Sequence, residues 1–183
     1  MDYQKVCGNN LEFVDEFLQN FMMILLKDAS TDFWKILKYG STDALTNPAY
    51  TISTADKYAM IKQNNKDGNG DLLTRIRRLK FNDDISTVAH SEIRIFDGAW
   101  RVPTFGSYEM TYGIEIISHN DIICLQGGKT TLNVLRNEIY RLFNGRYIDK
   151  NVGRLHNEGT SGTITIFNSS FQGYQLSLRG ASS

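Results

Sequence analysis

Cysteine is scarce in this sequence. Cys7 and Cys124 are two isolated residues in a chain of 183, which excludes a disulfide-stapled secreted domain and predicts plain thiols in a reducing compartment. Net charge is missing too: 20 Lys and Arg balance 20 Asp and Glu. No basic excess is available to grip nucleic acid by neutralising its phosphates. Long apolar runs are absent. The greasiest stretch, Phe21–Leu26, is far shorter than the roughly 20 residues of a membrane span, and MDYQKVCGNN has neither the basic start nor the apolar core of a signal peptide. A soluble protein is expected. With only His90, His119 and His156 present, a histidine metal cluster is a poor expectation.

What is there suits a packed domain, because 41% hydrophobic and 11% aromatic residues can bury a sizeable core in a chain of this length. Leu11–Asp28 sets Leu11, Val14, Leu18, Phe21 and Leu25 on one helical face, with Asn9 or Asn10 as cap. TDFWKILKYG reads as a short helix capped by Thr31 and stopped by Gly40. STADKYAMIKQ repeats the logic, with Ser53 three residues before Asp56 as in a capping box. TDALTNPAY between them is a turn segment. Asn64–Asp71, NNKDGNGD, has the Gly and Asn content of a linker.

Beyond the linker the pattern turns to strand. Leu73–Leu79, Glu92–Phe96, Tyr108–Ser118 and Ile122–Leu125 alternate or run apolar. Thr130–Phe143 is an amphipathic helix through Leu132, Leu135, Ile139 and Leu142 or Phe143, with Gly145 near its end. TITIF and YQLSLR, separated by the turn NSSFQG, close the chain as a hairpin. The expected organisation is a helical region over 1–63, a turn or linker over 64–71 and a sheet-plus-helix core over 72–183. The expected fold class is α+β, with helices covering a largely antiparallel or mixed sheet and a long hairpin loop.

The hairpin loop is the most informative part. Asp97–Ser107 holds Trp100, Arg101, Val102 and Phe105 between two strands, and large aromatic groups with an Arg have the composition of an interface anchor. The plainer alternative is that the loop folds back and buries these groups on its own sheet. These four residues are the candidate interface.

Several constellations invite a chemical reading. Gly127-Gly128-Lys129-Thr130 sits where a phosphate-binding loop would, but that motif needs Gly at position 123, which is Ile. A glycine turn feeding a Thr-capped helix is the better reading. Asn65, Asp67, Asn69 and Gly70 mimic the start of a calcium loop, yet its twelfth position, a bidentate Glu in that motif, is Ile76. A start at Asp67 puts Leu72 at the glycine position and Arg78 at the end. His119, Asp121 and Cys124 are close in sequence, but an extended segment alternates its faces. There SHND reads as a strand end whose side chains cap a turn, and Cys124 as a buried apolar thiol. Arg75, Arg77, Arg78 and Lys80 read either as a DNA-facing stripe or, preferably, as a charged edge strand balanced by Asp83 and Asp84. No catalytic, cofactor or metal residue is assigned.

FWKILKYGSTDALTNP, KFNDDISTVAHSEIRIF, and above all GIEIISHNDIICLQGGKTTLNVLRNEIYRLFNGR followed after a gap by GYQLSLR resemble the neck or tail-terminator proteins of long-tailed bacteriophages. The shared theme is a strand ending in a His-Asn-Asp turn, a helix carrying Asn137-Glu138-Ile139, and a short final hairpin. The resemblance spans Phe33 to Arg179, and its motifs are structural rather than catalytic. GAWRVPTFG and about the first 60 residues lie largely outside the shared motifs. The resemblance implies a virion component made in the host cytoplasm: a homo-oligomeric ring, commonly a hexamer. Such a ring closes the tail tube, meets the tube protein and the head completion or connector protein, and passes genome DNA through its channel without sequence-specific binding. It implies no enzyme, no cofactor and no membrane. An adjacent connector ring is the nearest alternative. A small hydrolase or nuclease around His119, Asp121 and Glu138, or a cytoplasmic regulatory or ligand-binding module, are the competing classes.

Overall fold

The structure is a computed structural model that describes residues 17–78, 88–104, 107–149, 152–157, 163–166 and 170–182. It is an α+β fold. Helix α1 covers 17–28, α2 is Thr31–Lys38, α3 is Thr54–Ile61 and α4 is Thr131–Phe143. Strands are β1 (Ile76–Arg77), β2 (Ser91–Thr104), β3 (Ser107–His119), β4 (Tyr147–Asp149), β5 (Gly153–Arg154), β6 (His156–Asn157), β7 (Thr163–Ile166) and β8 (Phe171–Ser182). Among the described residues no helix is long and apolar enough to cross a membrane.

Helix starts follow short-range chemistry. At α3, Ser53 and Asp56 form the expected capping box, each side chain accepting from the other residue's backbone N–H. At α4, Thr130 Oγ1 accepts from Asn133 N, after a turn in which Gly127 and Gly128 take φ of 91° and 79°, a region side chains avoid. The start of α2 departs from expectation: Ser30, not Thr31, is the cap and accepts from Phe33 N. Gly40 does not stop α2 through a left-handed turn either. A Cβ on it would collide with the Ala89 carbonyl oxygen, so the residue serves close packing of two chain segments. The cap expected from Asn9 or Asn10 lies outside the described residues, as do Lys80, Asp83 and Asp84.

The sheet runs β1-β2-β3-β8-β5-β4, with β6 and β7 also paired to β8. It is mixed: β2–β3, β3–β8, β4–β5, β6–β8 and β7–β8 are antiparallel, while β1–β2 and β5–β8 are parallel. Alternation sorts its faces. Ile93 and Ile95 of β2, Ile114 and Ile116 of β3 and Leu176 and Leu178 of β8 join one core with Phe17, Phe21 and Leu25 of α1, Phe33 and Trp34 of α2, and Leu135, Ile139 and Phe143 of α4. Phe17 stacks on Tyr112, and Phe21 on Phe143 at 3.9 Å between ring centroids. Burying such side chains is worth about 2 kcal/mol apiece, which is what seats the helices on that face.

Three strand expectations are corrected. Ile122–Leu125 is not a strand: Asn120–Ile122 is a 3₁₀ turn, and Cys124 makes only an isolated bridge to Thr130. Its buried residues, Ile122 and Leu125, are three apart, the spacing of a turn rather than of a strand. Of the expected strand Leu73–Leu79, the described residues 73–78 hold only the two residues of β1, because Leu73 and Arg75 donate their N–H groups to Asn65 and Met60 instead of to the sheet. The turn NSSFQG ends before Phe171, which is already in β8 and buried beside the rings of His90 and His119.

Candidate functional site

Strands β2 and β3 are 14 and 13 residues long. Their pairing runs from Ser91↔Ser118 to Thr104↔Ser107 with two register shifts. The stretch Asp97–Ser107, expected as a loop, is therefore a paired ribbon up to its tip. Trp, Val and Thr favour that outcome, and two bulges absorb the misfit. Gly98 and Ala99 stand against Thr111 alone, and Val102 and Pro103 against Tyr108 alone; a Pro without an N–H is tolerated at such a place. The backbone puts Trp100 opposite Met110 and Arg101 opposite Glu109. Val102 belongs to the second bulge, and Phe105 lies outside the described residues. β8 runs alongside to the same height, with Glu109 opposite Ala181 and Arg179 ion-paired to Glu109.

The base of this ribbon carries an ionic cluster on the face away from the helices. Glu92, Arg94 and Glu115 share the alternation opposite to the core isoleucines, and all are buried, as are Arg77 and His90. Glu92 Oε2 lies 3.0 Å from Arg77 Nε and 3.7 Å from His90 Nε2, and its Oε1 accepts from Arg94 Nε at 2.7 Å. Arg94 Nη1 is 4.0 Å from Glu115 Oε2. Burial by itself pushes the Glu92 carboxyl up. The nearby His90 ring and the Arg94 and Arg77 charges outweigh it and hold the group at about 2. A carboxylate locked in that state is neither acid nor base near neutrality; it ties β1 to β2. Beside it Phe96 lies over Gly113 on the neighbouring strand, where a Cβ would collide with the ring.

Arg77 thus corrects the charged-edge reading of the Arg75–Lys80 run, since it points into this cluster rather than to solvent. β1 is the edge strand, but its charge is used inward. Arg75 Nη1 donates to Leu72 O at 2.5 Å, which also removes it from any DNA-facing stripe.

The other candidates are each occupied structurally. His119 caps the 3₁₀ turn, its Nδ1 accepting from Asp121 N at 3.2 Å, while the Asp121 side chain is exposed. Cys124 is exposed rather than buried, because the segment turns instead of entering the sheet. Glu138 sits on α4 with Oε1 accepting from Ser30 N at 2.6 Å and its carboxylate bound to Arg141. Burial raises this carboxyl, but the hydrogen bonds from Arg141 and Ser30 bring the balance below the ordinary value. Arg141 also donates to Asp28 O, and Arg146 pairs with Asp28, so the group latches the α1–α2 turn to α4. In the calcium-like segment Asp67 Oδ1 accepts from Asn69 N and Asp71 N, closing a turn on itself. Among the described residues no group of three or more His, Cys, Asp or Glu could hold a metal ion.

Sequence reading missed the Glu92 cluster. Its signal was present in SEIRIF and GIEII, where charges recur on one strand face, but alternation alone assigns that face to solvent.

A family model, YomW, matches residues 30–179. No curated protein matches the chain.

Proposed function

This chain belongs to the YomW family, phage-associated by its name, and from that premise we propose that it is a structural virion protein forming a ring at the phage head–tail junction. The specific role we assign is the tail terminator, which caps the tail tube and joins it to the head completion complex. The observation that carries the reading is the long paired hairpin, with an interface-like sequence at Trp100–Phe105 and buried ion pairs at its base. A backbone already ordered by strand pairing suits docking, because less freedom is lost on binding. The side chains that could have supported hydrolysis, His119 and Glu138, are spent on a turn cap and a helix latch. The neutral overall charge suits a ring that passes DNA without holding it.

Light scattering after size exclusion, followed by negative-stain imaging, tests this. Rings are expected, and their place in the particle separates a terminator from an adjacent connector ring. Trp100→Ser with Phe105→Ser should leave the monomer folded and cooperative while ring formation or particle incorporation falls sharply. A stable monomer with a nucleolytic or hydrolytic rate lost in His119→Ala would refute the proposal.

A further inference from the structure

Two Asn-Gly steps lie among the described residues, Asn69-Gly70 and Asn144-Gly145. A glycine after asparagine has no Cβ to shield its nitrogen, so that nitrogen can reach the preceding side-chain amide. The fold treats the two steps differently. At the end of α4, Asn144 Oδ1 accepts from Asn157 N at 3.1 Å, and Gly145 N donates to Leu155 O at 2.7 Å. Both the amide and the nitrogen that would attack it are fastened there to a separate segment of the chain.

Asn69 sits in the turn between α3 and β1. It is exposed, and among the described residues no hydrogen bond holds its side-chain amide. Gly70, at φ 90°, has open space where a side chain would stand, and its N–H donates to Asp67 O at 3.1 Å, inside the same turn. An exposed turn closed on itself opens without disturbing the rest of the fold. We propose that Asn69 is a self-modifying site that converts to aspartate and isoaspartate while Asn144 stays intact. Gly70 N attacks Asn69 Cγ and gives up its proton, the Cγ–Nδ2 bond breaks, and that nitrogen leaves as ammonia. Water then opens the cyclic imide at one of its two carbonyls, which either restores the normal backbone as aspartate or routes it through the side-chain carbon as isoaspartate.

Either product adds a negative charge to a chain whose charges balance, and sets a further carboxylate between Asp67 and Asp71. Isoaspartate also lengthens the backbone by a methylene inside a tightly closed turn. Asn69 N and Asp71 N both donate to Asp67 Oδ1 there, and Asp67 N donates to Asp71 O. The turn carries the Lys66↔Leu72 bridge and adjoins the Leu73 N to Asn65 O and Arg75 N to Met60 O bonds that join α3 to β1. Conversion to isoaspartate therefore loosens the passage from helix to sheet. The step needs no partner and no cofactor.

Incubation of the full chain in mildly alkaline buffer, followed by peptide mapping with mass spectrometry, tests this. The peptide containing Asn69 should gain the mass difference between asparagine and aspartate and split into two chromatographic forms. Its rate should exceed that at Asn144 by about tenfold or more, because hydrogen bonds to another segment must first break at Asn144. In concentrated urea the two steps should convert within about threefold of each other, since only the fold separates them. Asn69→Gln, whose longer side chain disfavours the cyclic imide, should leave that peptide unchanged. No conversion at Asn69, or conversion at Asn144 just as fast in the folded chain, overturns the assignment. A rate difference that persists unchanged in urea overturns it too, because its cause would then be the flanking sequence.

Discussion

Replacing Glu92 by Gln should cost a large part of this protein's stability, and the cost should depend on pH in a defined way. Glu92 is nearly fully buried and faces Arg77 at 3.0 Å, Arg94 and His90. Its carboxyl is held at about 2 against an ordinary 4.5, a difference worth about 3 kcal/mol. That agrees with the roughly 3–5 kcal/mol lost when one partner of a buried ion pair is removed, and is a sizeable share of a typical domain stability of about 5–15 kcal/mol. Because the folded group has the lower pKa, its contribution is complete above about pH 4.5 and is lost as pH falls towards 2. The unaltered protein and Glu92→Gln should therefore differ by about 3 kcal/mol at neutral pH, and their stabilities should converge between pH 4.5 and 2. Asp56, held at about 2 by Lys38 and Ser53, titrates in the same range but equally in both proteins, so it cancels in the difference. Urea denaturation at a series of pH values measures this. A difference below about 1 kcal/mol, or one that does not change with pH, would refute the clamp.

Gly113→Ala should destabilise by about 1–3 kcal/mol, because the new methyl meets the Phe96 ring; adding Phe96→Ala should remove that part of the cost, and strictly additive effects in the double variant would count against the contact. Glu138→Ala should cost about 1–3 kcal/mol by stranding the Ser30 N–H, whereas Arg141→Ala, whose side chain is 55% exposed, should cost under about 1 kcal/mol; thermal unfolding of both variants checks the order. Calcium, magnesium and ATP should leave Tm unchanged, since Asp67 and the Gly127–Thr130 turn are spent on their own backbone; a saturable rise of several degrees would reveal a site.

Local chemistry was legible in the sequence by itself. The α3 capping box, the glycine turn and Thr130 cap before α4, the apolar faces of α1 and α4, and the α+β class all follow from side chains acting within about four residues of one another. The failed calcium and phosphate patterns were decided the same way, by single residues at fixed offsets. Only the tertiary structure decided the rest. Whether Glu92, Arg94 and Glu115 face water or one another depends on what packs over that side of the sheet, and alternation cannot report it. The paired hairpin was misread as a loop because its strands are interrupted by bulges, and a bulge is defined by the partner strand rather than by its own residues. Ile122–Leu125 was misread because apolar residues three apart suit a turn once His119 ends the strand and Ser170 takes the Asn120 N–H. Strand order belongs to this second class as well, because it is set by contacts between residues far apart in the chain.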